Sequence, residues 1–125
     1  MTPRTKLFLY GSLMRGCCNH HHISDQRFIG DARTVTGYRL YELNGYPGMV
    51  VEDSDTLGVP GELWEIDADC LARLNRFEGT DAGLYRLASI PLRPPFDKTA
   101  VVTYLYLQSI SGRNVVEEKW REGRK

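Results

Sequence analysis

Chemistry concentrates first in the run Tyr10-Gly11-Ser12-Leu13-Met14-Arg15-Gly16. A strand leads into it and stops at glycine. Such a turn can present consecutive backbone N–H groups to an anion such as a carboxylate. The Gly-Lys-Ser/Thr ending of a phosphate loop is absent, and an ordinary strand-to-loop turn uses the same residue types. Just beyond lies Cys17-Cys18-Asn19-His20-His21-His22, whose thiols and imidazoles belong to the zinc-ligand types. Their spacing argues against a metal site, because adjacent side chains diverge and no second Cys-x-x-Cys or His-x-x-x-His supplies the other half. This loop receives no role from the sequence.

Glu78 stands beside Phe77 and Gly79 in the last turn of the helix that the spacing predicts. A carboxylate there faces the negative end of the helix dipole. A residue that breaks a local rule can mark a functional site, although a solvated surface glutamate fits the same position. Glu62, Glu65, Asp53 and Asp55 carry no local mark that separates them from surface carboxylates. The tyrosines Tyr38, Tyr41, Tyr46, Tyr85, Tyr104 and Tyr106 fall mostly on strands, where aromatic residues pack well. Ser12 lacks the Gly-x-Ser-x-Gly elbow of a serine hydrolase. A Cys–His pair drawn from one short loop is an unusual origin for a thiol enzyme.

The elements that must position these residues are short and mostly extended. Lys6–Tyr10 reads as a buried strand, Ser12–His22 as a loop and Thr34–Leu43 as a strand. Asn44-Gly45 signals a hairpin turn that returns through Gly48–Glu52. Val59–Ile66 is a further strand, in which Gly61 points to a bulge or a close backbone approach. Asp67 is a good N-cap for a helix carrying Leu71, Leu74 and Phe77 at helical spacing, and Gly79 suits its C-terminal end. Cys70, on that helix, reads as a small core residue. Tyr85–Leu92 and Ala100–Leu107 complete about six strands. The βαβ alternation of a parallel doubly wound sheet is missing, so the fold class is α+β, with a sheet expected to curl into a small mixed β-barrel. Residues 1–110 read as one domain. Residues 111–125 read as a polar tail in which Asn114 can cap a short helix with a Glu117–Arg121 pair.

The 125 residues suffice for one self-supporting core. Sixteen basic residues balance sixteen acidic ones, so no net field attracts nucleic acid or an anionic membrane. No apolar run reaches the roughly 20 residues of a membrane-spanning helix, and three cysteines, two of them adjacent, suit a reducing compartment. Cytoplasmic localisation is the expectation.

Taken together, Leu7 to Gly16 with Asn19-His20, Gly37 to Tyr41 with Gly45 to Gly48, and Leu71 to Gly79 followed by Tyr85-Arg86 resemble the gamma-glutamylcyclotransferase superfamily. The likeness is to its short, AIG2-like, gamma-glutamylamine-cyclotransferase-like branch, and it covers Lys6 to about Leu107. The resemblance implies a small mixed β-barrel with flanking helices. It implies release of 5-oxoproline and a free amine from a small-molecule gamma-glutamyl amide, with no metal or organic cofactor. It implies Glu78 as the catalytic carboxylate. Tyr10, Gly11, Ser12 and Leu13 would form the substrate-binding turn, and Tyr85 would line the pocket. A non-catalytic binding or regulatory protein that keeps the same pocket is the alternative. The departing amine lies outside what these motifs recognise.

Overall fold

The computed structural model describes residues 4–121. Eight strands and one α-helix follow in the order β1 (Arg4–Leu9), β2 (Arg27–Arg33), β3 (Tyr38–Glu42), β4 (Pro47–Val51), β5 (Pro60–Asp67), α1 (Ala68–Phe77), β6 (Tyr85–Ser89), β7 (Val102–Tyr106) and β8 (Asn114–Val116). Five strands form one sheet in the order β2-β5-β1-β7-β6, and three form a second in the order β4-β3-β8. The class is α+β, as expected. The sheets do not close into a barrel: the second packs on the first where Gly48 of β4 meets Tyr106 of β7.

β1 is central, antiparallel to β5 from Arg4↔Asp67 to Leu9↔Glu62 and parallel to β7 at Leu7↔Val102. A strand flanked on both sides and covered on both faces needs a continuous apolar run, and Leu7, Phe8 and Leu9 are all buried. Gly61 gives the close approach that its position suggested. A Cβ there would collide with the Leu9 carbonyl and the Phe8 ring, so only glycine lets β5 lie this near the end of β1.

α1 begins and ends on the expected signals. The Asp67 carboxylate accepts the Cys70 N–H at 2.8 Å. At the other end Gly79 takes φ +70°, Thr80 N–H donates to Asn75 O at 3.1 Å and Gly79 N–H to Arg76 O at 3.2 Å, the paired bonds of a glycine-terminated helix. Leu74 and Cys70 bury against the sheet, and the apolar face runs out at Phe77, which is exposed. At ten residues, α1 is too short to cross a membrane, and among the described residues no helix is long and apolar enough to do so.

Two expectations are corrected. Arg27–Arg33, read as no element, is the edge strand β2, whose alternation is broken by a bulge between Phe28 and Gly30. Asn114 does not cap a helix. Asn114–Val116 is β8, paired with β3, because Val115 and Val116 favour a pleated surface and Val116 and Trp120 are buried in the core. Arg121 pairs with Glu118 at 3.4 Å, not with Glu117.

Candidate active site

A cleft of about 350 Å³ opens where β1, the β3–β4 hairpin, the end of α1 and the start of β6 converge. β1 feeds straight into the turn Tyr10–Leu13, which forms one wall, and Gly45–Pro47 of the hairpin forms another. All six residues singled out from the sequence, Tyr10, Gly11, Ser12, Leu13, Glu78 and Tyr85, line this one space. They come from segments up to 75 positions apart in the chain, brought together by the β1–β7–β6 order of the large sheet.

Glu78 is the residue that ends α1, with its own N–H still bonded to Leu74 O at 2.8 Å. The glycine turn that follows therefore fixes where its side chain leaves the helix. Burial pushes the Glu78 carboxyl up from 4.5 to about 7. Among the described residues no donor is hydrogen-bonded to it, so nothing offsets the desolvation of its charged form. Burial alone is enough for this shift. A group with this proton affinity can both take and give a proton near neutrality.

Three tyrosines surround it with hydroxyls committed to the scaffold. Tyr10 donates to Tyr104 O at 2.6 Å and accepts from Met49 N–H at 3.3 Å. Tyr85 donates to Pro47 O at 3.0 Å, and Tyr104 donates to Asn75 Oδ1 at 2.7 Å. Each phenol is raised above its ordinary value, first by burial and then, among other charges, by the Glu78 carboxylate. They are neutral hydrogen-bonding walls, not acids or bases at physiological pH.

The turn itself is braced. Met14 N–H closes it onto Gly11 O at 3.1 Å. Asn19 holds it from outside, with N–H to Ser12 O at 3.0 Å and Nδ2 to Ser12 Oγ at 2.9 Å. Because Ser12 Oγ accepts from Asn19, its own O–H is left for another acceptor. Among the described residues no chain acceptor takes the backbone N–H of Ser12 or Leu13. From the cysteine–histidine loop, Cys18 and Asn19 reach the cleft. His20 turns back, its Nδ1 3.0 Å from Leu13 O and its ring against Trp64. His22 stacks on Phe77, with ring centroids 4.7 Å apart.

The sequence reading missed Glu62. It is fully buried in β5 and accepts from Arg15 N–H at 3.1 Å, Arg15 Nε at 3.0 Å and Trp64 Nε1 at 3.1 Å, with Lys119 Nζ 3.6 Å away. Burial works to raise its carboxyl, but the donors from Arg15 and Trp64 outweigh it and hold it below the ordinary range. Arg15 also lies over the Phe28 ring at 3.8 Å and meets Asp31 at 3.1 Å. Asp55, likewise read as a surface carboxylate, is buried and accepts the N–H groups of Leu57 and Gly58. The signal for Glu62 was its place in Gly61-Glu62-Leu63-Trp64, a strand too apolar to have a solvent face.

The chain resembles known proteins along nearly its whole length. A family model described as gamma-glutamyl cyclotransferase, AIG2-like, matches residues 7–122. The gamma-glutamylcyclotransferase family protein YtfP of Escherichia coli is 30% identical over 112 residues, covering 90% of this chain and 91% of that protein. A Vibrio cholerae relative named for gamma-glutamylcyclotransferase is 35% identical over 72 residues, 58% of this chain and 60% of the relative's own length. The crystal structure of a mouse AIG2-like protein superposes with a TM-score of 0.79 at 20% identity, over 98% of this chain and 99% of that one. The chain belongs to the AIG2-like gamma-glutamylcyclotransferase family.

Proposed function

We propose that the protein is a gamma-glutamyl-amine cyclotransferase that releases 5-oxoproline and a free amine. The observation that carries this reading is Glu78: a carboxyl with no hydrogen-bond donor among the described residues, raised to about 7 by burial, in a cleft also lined by a turn whose Ser12 and Leu13 N–H groups meet no described chain acceptor.

The reaction needs little else from the protein. The substrate's α-nitrogen attacks its own γ-carbonyl carbon, the new C–N bond closes a five-membered lactam, and the old amide C–N bond breaks. Two protons leave the α-ammonium and reappear on the released amine. Attack is intramolecular, so holding the glutamyl chain folded supplies much of the acceleration. Ser12 and Leu13 N–H with the Ser12 hydroxyl would hold the α-carboxylate at the turn. Glu78 would accept a proton from the α-ammonium, which has no lone pair until it loses one, and return it to the departing nitrogen. Tyr85 and Tyr10 would shape the wall between them.

The test is 5-oxoproline release from gamma-glutamyl amides, detected by mass spectrometry, with Glu78→Gln as control. Release by the wild type and a loss of at least about 10²-fold in the variant is expected for removal of a general acid–base. Binding without turnover would favour a regulatory protein, and release of glutamate instead of 5-oxoproline would favour a hydrolase.

A further inference from the structure

The lining of the cleft is of two chemical kinds. Ser12, Asn19 and, among the described residues, the open backbone N–H groups of the turn make up its polar part. Tyr46, Phe77 and Leu84 are its exposed apolar part, at 42%, 43% and 42% exposure. Large apolar side chains left in water singly are ordinary. These three come from separate segments, the β3–β4 turn, the end of α1 and the approach to β6, and they border one opening. Exposed apolar side chains gathered on one cleft offer a place for an apolar ligand group.

Charge is missing from the same place. Among the described residues no lysine, arginine or histidine lines the cleft, and Glu78 is its one carboxylate. His22 reaches the outer face of Phe77 but is held neutral at physiological pH, its imidazole lowered by burial and by the neighbouring His21 and Arg73.

We propose that this cleft selects gamma-glutamyl amides whose departing amine carries an uncharged, apolar substituent, the glutamyl head lying at the turn and the apolar tail between Tyr46, Phe77 and Leu84. The proposal rests on the cyclotransferase reading above. A carboxylate on the departing amine, as in a gamma-glutamyl amino acid or peptide, would lie near Glu78 with no cation to pair it. A second ammonium, as in a diamine, would give up water for apolar walls and compete for the one carboxylate the reaction uses. An alkyl or aryl group loses nothing on entering and covers the exposed rim.

Isosteric pairs isolate the effect. The gamma-glutamyl conjugate of 3-methylbutylamine is that of leucine without its carboxylate. The hexylamine conjugate matches that of 1,5-diaminopentane with a methyl in place of the ammonium. kcat/KM for 5-oxoproline release should favour the apolar member of each pair by at least about tenfold, the scale on which an unpaired polar group is rejected. Across propyl, butyl, pentyl and hexyl conjugates it should rise about three- to fourfold per methylene until the mouth is filled. Leu84→Arg, at an exposed position that leaves the core intact, should narrow or reverse the preference between 3-methylbutylamine and leucine conjugates. Equal or faster turnover of the leucine or diamine conjugate overturns the proposal and leaves the reaction standing. No 5-oxoproline from any conjugate overturns both.

Discussion

Glu62 binds Arg15 twice, accepting its backbone N–H at 3.1 Å and its Nε at 3.0 Å. The side-chain contact is an ion pair of ordinary kind. The backbone contact is different, because Arg15 lies two residues beyond Leu13 and its N–H anchors the chain leaving the cleft turn. A fully buried carboxylate on the sheet thus fixes the course of a surface loop.

Glu62→Ala leaves the Arg15 N–H and the Trp64 indole N–H without their acceptor. Arg15 is itself exposed and keeps Asp31 as a partner, so the cost is that of the buried donors left unsatisfied, about 1–3 kcal/mol, to be read from urea denaturation near pH 7.5. Glu62→Gln keeps one acceptor oxygen and should cost less. The acid limb separates charge from shape. The folded carboxyl lies below the ordinary value of 4.5, so its stabilisation is full above that pH and is lost as pH falls toward the folded value. Glu62→Gln should flatten that loss of stability below about pH 4.5, and an unchanged acid limb would contradict the assignment.

Glu78 gives the opposite sign. Its folded value of about 7 lies above the ordinary 4.5, so the folded state holds more protons between these limits and stability falls as pH rises through them. Above pH 7 the ionised, desolvated carboxylate should weaken the fold by about 3 kcal/mol. Glu78→Gln, which cannot ionise, should be the more stable protein at pH 8 and no more stable than wild type at pH 4. If Glu78 is the proton carrier of the proposed reaction, kcat/KM for 5-oxoproline release should rise with pH through an apparent value near 7, as the proton acceptor becomes available. An ascending limb centred near 4.5 would show that substrate entry or solvent removes the burial.

How much of this was legible depended on whether the determinant is local. The β3–β4 hairpin follows from Asn44-Gly45, and α1 follows from Asp67 and Gly79, because each signal sits within one turn of what it controls. Glu78 stood out locally only as a carboxylate ending a helix, which a solvated surface glutamate fits as well; its proposed catalytic role came from the family resemblance. β2 was not visible, because the bulge at Phe28/Gly30 breaks the alternation by which a strand is recognised. β8 was misread as a helix, since three residues are too few to show strand alternation and their pairing with β3 is long-range. Glu62 and Asp55 looked like surface carboxylates because Arg15, which gives Glu62 two of its hydrogen bonds, lies 47 positions away in the chain, and the Asp55 turn declares itself only once folded. The open, two-sheet arrangement likewise depends on β1 pairing with both β5 and β7, a long-range choice that no local pattern encodes.

The Tyr104 hydroxyl donates to Asn75 Oδ1 at 2.7 Å, and Asn75 lies three residues before Glu78 on α1. This bond ties the end of the helix to the centre of the sheet. Tyr104→Phe removes it, leaving a part-buried amide oxygen without its donor, for a loss of about 1–2 kcal/mol in denaturant unfolding. If Glu78 is the proton carrier, the looser helix end should lower kcat severalfold with little change in KM, because the turn that would hold the glutamyl head is untouched. A larger effect on KM than on kcat would place Tyr104 in substrate binding instead.

Gly79 controls the same carboxylate through the backbone. Its φ of +70° is open to glycine at no steric cost, is tolerated by asparagine and is strained for alanine. An added Cβ would also stand 2.9 Å from Leu84 Cδ1 at the cleft mouth. Stability should therefore fall in the order Gly79, Gly79→Asn, Gly79→Ala, with the alanine variant down by about 1–2 kcal/mol from the left-handed conformation alone. Activity should fall further than stability, since the residue that ends the helix is Glu78 and any rotation of the turn re-aims its side chain. A Gly79→Ala protein that is destabilised but keeps wild-type kcat would show that the carboxylate finds its position independently of the turn.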